Sequence, residues 1–226
     1  MMLRANGKRE TLCRMSDSFL VAARLPISRE GFERWLDTPT DLSAISNPDA
    51  MFNGWYWDGK EVTDEWRHIP KETTPRTYFA SRVAQDAAPG QLTVAVHRNG
   101  ALEVYLLHFG YQRWDVHTAL MLLAGAAEFK APGEDLVLFW AETGGNLFQP
   151  EDDGWLAVMS VGGQGGRFVA QADLTSAVAG LRPTEQLFFE LAERLSEEEE
   201  SQDGEADSPL PADATRDPSF VDQAFL

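Results

Sequence analysis

Short apolar runs and one helical repeat mark the first part of the chain. Residues 19–25 are apolar and end at Pro26, a pattern that predicts a strand. Ser28 can cap the helix that follows, because its hydroxyl can accept a backbone hydrogen bond and apolar residues recur at helical spacing. Residues 78–84 are predicted to form a second strand. The apolar positions of the capped helix are Phe32, Trp35 and Leu36.

The clearest local signal is a hairpin within residues 92–109. Two apolar runs flank Asn99-Gly100, a pair that a type I′ turn prefers because both central positions need a positive φ. A two-residue turn sets Val96 opposite Glu103. Both faces of the hairpin are largely apolar, so it is predicted to be central in a sheet and covered on both sides.

Helical and strand patterns alternate through the second half of the chain. Residues 114–129 repeat apolar positions at helical spacing, and residues 136–140 predict a buried strand. Two further strands, 155–161 and 167–172, flank a glycine-rich turn. A last helix is predicted to open at Pro183, since proline is tolerated in a first helical turn. Its apolar face comprises Leu187, Phe188, Leu191 and Leu195.

These elements predict an α+β fold with a mainly antiparallel sheet, because hairpins outnumber strand–helix–strand units. About three helices should pack on it. The chain of 226 residues suits a single domain, predicted at 15–195, between a disordered leader at 1–14 and a disordered acidic tail at 196–226. No apolar stretch approaches the length that spans a bilayer, and a single cysteine, Cys13, gives no sign of an oxidising compartment. A cytoplasmic protein is expected.

The C-terminal segment carries much of the negative charge. Residues 196–226 contain ten Asp and Glu but one Arg, and so account for −9 of the formal net charge of −17. Prolines and small residues complete a composition typical of a disordered, solubilising tail. The alternative is that its two apolar pairs, Phe220-Val221 and Phe225-Leu226, dock on the domain or on a partner.

Motifs that suggest catalytic or metal chemistry lack residues that the chemistry needs. The glycine run 162–166 leads into a strand-like segment, so it predicts a hairpin turn in preference to a phosphate loop at a helix N-terminus. The acidic turn 151–154 lacks the alternating acids and the closing Glu of a calcium loop. The four His do not have zinc-like spacing. The prediction is a protein that is not an enzyme and uses no cofactor or metal.

Acidic residues interleaved with aromatic residues mark the predicted contact regions, 54–66 and 151–155. Buried aromatic anchors ringed by charge are typical of interface hot spots. The alternative is a hairpin that packs Trp55 and Trp57 on the core. The predicted partner-binding residues are Trp55, Trp57, Asp58, Glu61, Asp64, Glu65, Trp66, Glu151, Asp152, Asp153 and Trp155.

The chain resembles the immunity proteins of bacterial polymorphic toxins, in particular the family usually numbered immunity protein 52. The resemblance rests on the strand and helix at 19–36, the Gly54-Trp55 pair with its aromatic neighbours, and the hairpin at 92–109, and covers roughly residues 16–195. It implies an α+β protein encoded beside a toxin, often a restriction-endonuclease-like nuclease delivered by a type VI secretion system. The immunity protein would bind that toxin in the cytoplasm and block its active site or its assembly.

The leading hypothesis is therefore an immunity protein that neutralises a cognate nuclease toxin by stoichiometric binding, with acidic residues suited to a basic DNA groove. An enzyme of unrecognised type that uses His97, His108 or His117 is the second hypothesis, and an acidic adaptor or chaperone is the third. Neither nucleic acid, for which clustered Lys and Arg are lacking, nor a membrane is expected as a direct partner. A homodimer is a further hypothesis.

Overall fold

A six-stranded antiparallel sheet forms the centre of the molecule. The structure is a computed structural model that describes residues 18–39, 41–52, 72–85, 91–109, 113–142, 155–170, 172–201 and 216–226. The strands lie in the spatial order β2-β3-β1-β4-β5-β6, and each neighbouring pair is antiparallel. The predicted α+β class is confirmed. The strands are β1 (Ser18–Pro26), β2 (Gln91–Arg98), β3 (Ala101–Phe109), β4 (Asp135–Glu142), β5 (Trp155–Gly162) and β6 (Gly165–Val169).

Helices cover both faces of the sheet. The described residues contain four α-helices, one more than predicted: α1 (Arg29–Leu36), α2 (Pro75–Gln85), α3 (Arg113–Gly125) and α4 (Leu174–Ser201). The first three lie on one face, where the Trp35 indole N–H donates to the carbonyl of Leu122 at 2.9 Å and joins α1 to α3. α4 lies on the opposite face and contacts β1, β2 and β3. None of these helices combines the length and the apolar character that a membrane span requires.

The capped helix is confirmed in its predicted place. The Ser28 hydroxyl accepts the backbone N–H of Gly31 at 3.0 Å, as expected for a helix N-cap. The three apolar positions of α1 are all buried, with Phe32, Trp35 and Leu36 at 1% exposure or less. This helix therefore forms through the local signals that the sequence contains, and packs its apolar side on the sheet.

The β2–β3 hairpin is confirmed in its turn and register, but its predicted central position is wrong. Asn99 and Gly100 have φ values of 51° and 71°, and Val96 pairs with Glu103. The hairpin lies at one end of the sheet, with β2 as an edge strand. Ala95 in the middle of β2 is nevertheless completely buried. Apolar residues on both faces of a strand indicate that both faces are buried. They do not indicate how many strands lie beside it in the sheet.

Residues 78–84 form part of helix α2, so the predicted strand is wrong. The signals that the prediction missed stand just before it: Thr74 accepts the backbone N–H of Thr77 at 3.2 Å, and Pro75 occupies the first helical position. Five buried positions then follow helical spacing, which sets one side of the helix against the core. They are Pro75, Tyr78, Phe79, Arg82 and Val83.

Helix α4 starts before the predicted position and ends after it. It begins at Leu174, where Asp173 accepts the backbone N–H of Ser176 at 3.1 Å, so Pro183 lies inside the helix. A proline in a helix interior removes one backbone hydrogen bond, and the helix continues through it with Leu181 and Thr184 buried on either side. The helix also continues to Ser201, into the predicted tail.

Residues 216–226, here called the C-terminal strap, pack on the domain. The backbone N–H of Ala95 donates to the carbonyl of Phe220 at 2.8 Å, and the N–H of Asp222 donates to the carbonyl of Ala95 at 2.8 Å. The strap thus pairs with the outer edge of β2 in a short parallel bridge. For these residues the predicted disorder is wrong and the predicted docking on the domain is confirmed. The prediction of disorder rested on the average composition of residues 196–226. That average gave too little weight to three apolar residues that become buried, Phe220, Val221 and Phe225.

The deepest contact of the strap is the aromatic ring of Phe225. It is completely buried and lies 4.6 Å from the ring of Phe79, 5.4 Å from that of Phe32 and 6.4 Å from that of Trp35, measured between centroids. Two of these contacts are edge-on, the arrangement that aromatic quadrupoles favour. The end of the chain therefore completes the core between α1 and α2.

The opposite edge of the sheet is covered by residues 44–47. The backbone of Gly166 in β6 donates to the carbonyl of Ala44 at 2.7 Å, and its carbonyl accepts the N–H of Ser46 at 2.9 Å. The Asn47 side chain bonds both backbone groups of Phe168, at 2.7 and 3.0 Å. Both edges of the sheet thus carry a partner, as native sheets require to avoid edge-to-edge pairing.

We predict that Phe225→Ala lowers the free energy of unfolding by about 3–5 kcal/mol, because it leaves a cavity among three aromatic rings. The matched control is Leu226→Ala, since Leu226 is 51% exposed and its truncation should change stability by about 0.5 kcal/mol or less. Urea denaturation of both full-length variants measures the difference. Equal stability of the two variants would show that the strap is not part of the core.

Candidate functional site

The predicted contact regions fall almost entirely outside the described residues. Residues 53–71 and 143–154 are not described, so the structure does not test the predictions for the residues from Trp55 to Trp66 or for Glu151, Asp152 and Asp153. For Trp155 the structure describes the backbone, which begins β5 opposite Ala141 of β4. These regions therefore remain predictions. The candidate site consists of other residues, which the structure describes.

His97 and His108, two of the histidines named in the enzyme hypothesis, lie far apart. In the hairpin His97 pairs with Leu102 and His108 pairs with Gln91, so they lie at opposite ends of the two strands. Six residues of strand separate these positions by about 20 Å. The backbone therefore does not bring His97 and His108 to one site.

His97 has a structural use. Its ring stacks on Phe32 with centroids 5.1 Å apart, and its Nε2 lies 2.9 Å from the carbonyl oxygen of Ile27. His117 in α3 is 1% exposed, within the core. Across the described ranges, no three His, Cys, Asp or Glu side chains are grouped so as to hold a metal ion. The glycine run at 162–166 is the predicted hairpin turn, between β5 and β6.

A buried carboxylate on β3 holds α4 to the sheet. Glu103 is 2% exposed, and its Oε2 accepts hydrogen bonds from Arg98 Nε at 2.8 Å and Thr184 Oγ1 at 2.9 Å. Its Oε1 lies 3.6 Å from Arg24 Nε. Arg98 also donates to the carbonyl of Pro183 at 3.1 Å. One acid thus connects three strands to the middle of α4, and its charge is compensated by two arginines.

Aromatic packing extends this attachment along α4. The ring of Phe188 lies 4.6 Å from that of Tyr105, the next residue of β3 on the same face. Burial raises the pKa of the Tyr105 hydroxyl well above its ordinary value, and the charge of Glu185 raises it further. Tyr105 therefore stays neutral under α4. Glu185 in turn accepts a hydrogen bond from Arg182 at 2.6 Å.

The outward side of α4, here called the acidic helix face, is formed by Gln186, Phe189, Glu190 and Glu193. All four are exposed, and Gln186 donates to Glu190 at 3.1 Å. Phe189 is 38% exposed and one of two large exposed apolar residues in the described part of the chain. This face combines an aromatic side chain with acids, the pattern that the sequence predicted for other segments.

Ion pairs tie the strap to the helices around it. The backbone N–H of Ser219, the guanidinium of Arg194 at 2.6 Å and the Ser219 hydroxyl lower the pKa of Asp217 from 3.8 to about 2. Asp222 pairs with Arg29 at 2.6 Å. Burial opposes its charge, yet hydrogen bonds from Arg29 and from nearby backbone N–H groups keep its pKa below the ordinary value. Two acids of the predicted solubilising tail are therefore structural.

No protein-family model, curated protein or solved structure matches this chain. The sequence predictions did not include the acidic helix face, because they used only the apolar side of the last helix. The signal was present, since Gln186, Phe189, Glu190 and Glu193 recur at spacings of three and four opposite the apolar stripe.

We predict that Glu103→Gln lowers the free energy of unfolding by about 2–3 kcal/mol, because hydrogen bonds from Arg98 and Thr184 lose their charged acceptor. Glu193→Gln, at an exposed position of α4, is the control and should change stability by about 0.5 kcal/mol or less. Denaturant titration gives both values. A loss as small as that of the control would mean that Glu103 does not hold α4.

We predict that the strap contributes an acid-sensitive part of the stability. Because the pKa of Asp217 is lower in the folded protein, its contribution is complete above about pH 4 and is lost as the pH falls through about 2. The unfolding free energy of Asp217→Asn should therefore depend less on pH than that of the unsubstituted protein over this window. Asp49→Asn, at an exposed aspartate, is the control. Parallel pH curves for Asp217→Asn and the unsubstituted protein contradict the prediction.

Proposed function

We propose that this chain is a cytoplasmic immunity protein that binds a cognate nuclease toxin stoichiometrically and neutralises it. The observation that carries the proposal is the acidic helix face, an exposed aromatic side chain among acids on a helix that is fixed to the sheet. The sequence resemblance of roughly residues 16–195 to polymorphic-toxin immunity proteins supports the class of function. The proposal includes no catalytic step and no cofactor.

Phe189 has the properties of an interface anchor. Its ring lies 5.8 Å from that of Phe188 at an interplanar angle of 74°, and Phe188 is itself buried against Tyr105. This contact limits the orientations of the Phe189 ring before any partner arrives. An aromatic side chain that is already oriented loses little conformational entropy on binding, which favours affinity. Aromatic anchors of this kind are frequent among interface hot spots.

The charges around Phe189 favour a basic partner. Glu190 and Glu193 flank it. The nearby cations Arg182 and Arg194 are paired with Glu185 and Asp217, so they offset the acids only in part. A surface of one charge accelerates encounter with a partner of opposite charge. The DNA groove of a nuclease is such a partner, since it must attract phosphates.

The attachment of α4 makes the face rigid. Its middle is held by the hydrogen bond between Thr184 and Glu103, and the ring contact of Phe188 follows one turn later. A contact surface on an anchored helix is better preorganised than one on a loop. Binding then requires no rearrangement of this face.

The competing hypotheses receive less support from the described residues. An enzyme that uses His97 and His108 together needs them in one site, and the hairpin separates them by about 20 Å. An adaptor that acts through a free acidic tail needs the last residues available, and the strap buries Phe225 in the core. Neither observation bears on the residues outside the described ranges.

The proposal is tested by co-expressing the chain with the product of the neighbouring gene in a sensitive host. We predict that the unsubstituted chain restores growth, and that Phe189→Ala weakens toxin binding about 30-fold, the effect of losing about 2 kcal/mol at a hot spot. The double variant Glu190→Lys/Glu193→Lys should mainly slow association and reduce its dependence on salt. Surface plasmon resonance with catalytically inactive toxin measures both effects.

The matched control is Glu72→Lys/Glu128→Lys, which makes the same charge change at two exposed positions away from α4. It should protect the host and bind as the unsubstituted chain does. If toxicity is unchanged by the unsubstituted chain, the proposed function is wrong. If protection persists and the α4 variants bind normally, the function stands but the acidic helix face is not the contact surface.

A further inference from the structure

We infer that the groove between the edge of β2 and helices α1 and α2 is a peptide-binding site, and that the C-terminal strap is its tethered ligand. The ligand class is a short segment with the pattern Asp-x-x-Phe-Val-Asp-x-x-Phe, as in residues 217–225, which pairs with β2 at Val221 and ends in a 3-10 turn. The inference does not depend on the proposed function. It rests on three kinds of contact that short peptides use to bind folded domains.

The first kind of contact is strand addition. Ala95 exchanges two backbone hydrogen bonds with the strap, one with the carbonyl of Phe220 and one with the N–H of Asp222, both at 2.8 Å. A peptide can make these two bonds because they involve main-chain groups at the edge of the sheet.

The second kind of contact is an aromatic anchor among three aromatic rings of the domain. Phe32, Trp35 and Phe79 come from α1 and α2, and each is at most 1% exposed while Phe225 lies among them. The rings of Phe32 and Trp35 contact each other at 6.0 Å, and those of Trp35 and Phe79 at 6.2 Å. The pocket walls are therefore held by their own contacts as well as by the strap.

The third kind of contact is made by arginines from three different helices, two of which pair with acids of the strap and one of which donates to a strap carbonyl. Arg29 of α1 pairs with Asp222 and Arg194 of α4 pairs with Asp217, each at 2.6 Å. Arg76 of α2 donates to the carbonyl of Ala224 and is itself held by Asp37 at 2.8 Å. The arginines that pair with the strap thus face the two acids on either side of its central apolar pair, Phe220-Val221. This arrangement favours a ligand that carries acids at both of these positions.

The strap has the local order of a preformed ligand. Asp217 accepts the backbone N–H of Ser219 at 2.8 Å, and its carbonyl accepts those of Phe220 and Val221. Asp222 caps the closing 3-10 turn by accepting the N–H of Ala224 at 2.9 Å. These contacts lie within the strap itself, so they also form in a free peptide more often than in an arbitrary sequence, which lowers the entropic cost of binding.

Tethering explains why the groove is occupied by the chain's own end. Residues 202–215 join α4 to the strap and can extend to at most about 50 Å. A tether of this length gives a ligand an effective concentration of about 1 mM or more. A free peptide must compete with that concentration, so its binding becomes measurable when the strap is weakened and the groove is left intact.

The test uses full-length variants and a fluorescent peptide of residues 216–226. Asp222→Asn and Phe225→Ala weaken the strap but leave the groove residues unchanged. We expect the peptide to bind either variant about tenfold or more tightly than it binds the unsubstituted chain, and to raise the melting temperature of the variant in proportion to occupancy. Fluorescence anisotropy and differential scanning fluorimetry provide the two readouts. The matched control peptide carries Phe225→Ala and should not bind.

A groove variant makes the experiment specific. In Phe79→Leu/Asp222→Asn the strap is equally weakened but the aromatic pocket is altered, so peptide affinity should fall about tenfold or more relative to Asp222→Asn. If Phe225→Ala does not fold alone, recovery of its folded signal on peptide addition supports the inference. Failure of the peptide to bind Asp222→Asn, or equal binding of the peptide and its Phe225→Ala control, overturns it.

Discussion

A buried edge strand must have its outward backbone groups paired, and this constraint joins the end of the chain to its sheet. Ala95 is completely buried although, among the described residues, β2 has one neighbouring strand in the sheet, β3. An unpaired N–H or C=O at such a position costs as much as a lost hydrogen bond. The strap satisfies both groups through Phe220 and Asp222. The same contact places Phe225 between α1 and α2, so the edge and the aromatic core depend on one segment.

A second constraint fixes the opposite side of the sheet. Glu103 is buried with its charge, and a buried charge requires compensation by opposite charges and hydrogen bonds. Arg98 and Thr184 supply these, and in doing so they set α4 at one rotation and one position over β1–β3. Once Thr184 and Phe188 face inward, helical periodicity turns Phe189, Glu190 and Glu193 outward. The acidic helix face thus follows from the position of a single buried carboxylate.

Covered edges also affect how this domain can meet other molecules. At β6 the backbone of Gly166 and the side chain of Asn47 complete the ladder, and at β2 the strap does so. Strand addition at these points therefore first requires displacement of a resident segment. A side-chain surface on a helix requires no such displacement. This difference separates the two proposed contacts physically: the acidic helix face is open, whereas the peptide groove is occupied until its tethered ligand leaves.

Local signals in the sequence determined the elements whose residues act on their immediate neighbours. The Ser28 cap, the Asn99-Gly100 turn and the helical spacing of Phe32, Trp35 and Leu36 each act within a few residues, and each was found where it was predicted. Thr74 and Pro75 gave an equally local signal for α2, and the strand predicted at 78–84 did not take it into account.

Tertiary structure decided what depends on distant partners. The place of the hairpin at the sheet edge, the continuation of α4 through Pro183 and the docking of Phe225 each involve residues far apart in the chain. Composition described residues 196–226 correctly as acidic, but burial depends on whether a site of matching shape and charge exists elsewhere. Three helices provide that site through Arg29, Arg76 and Arg194. The sequence of the tail alone does not predict where these arginines lie.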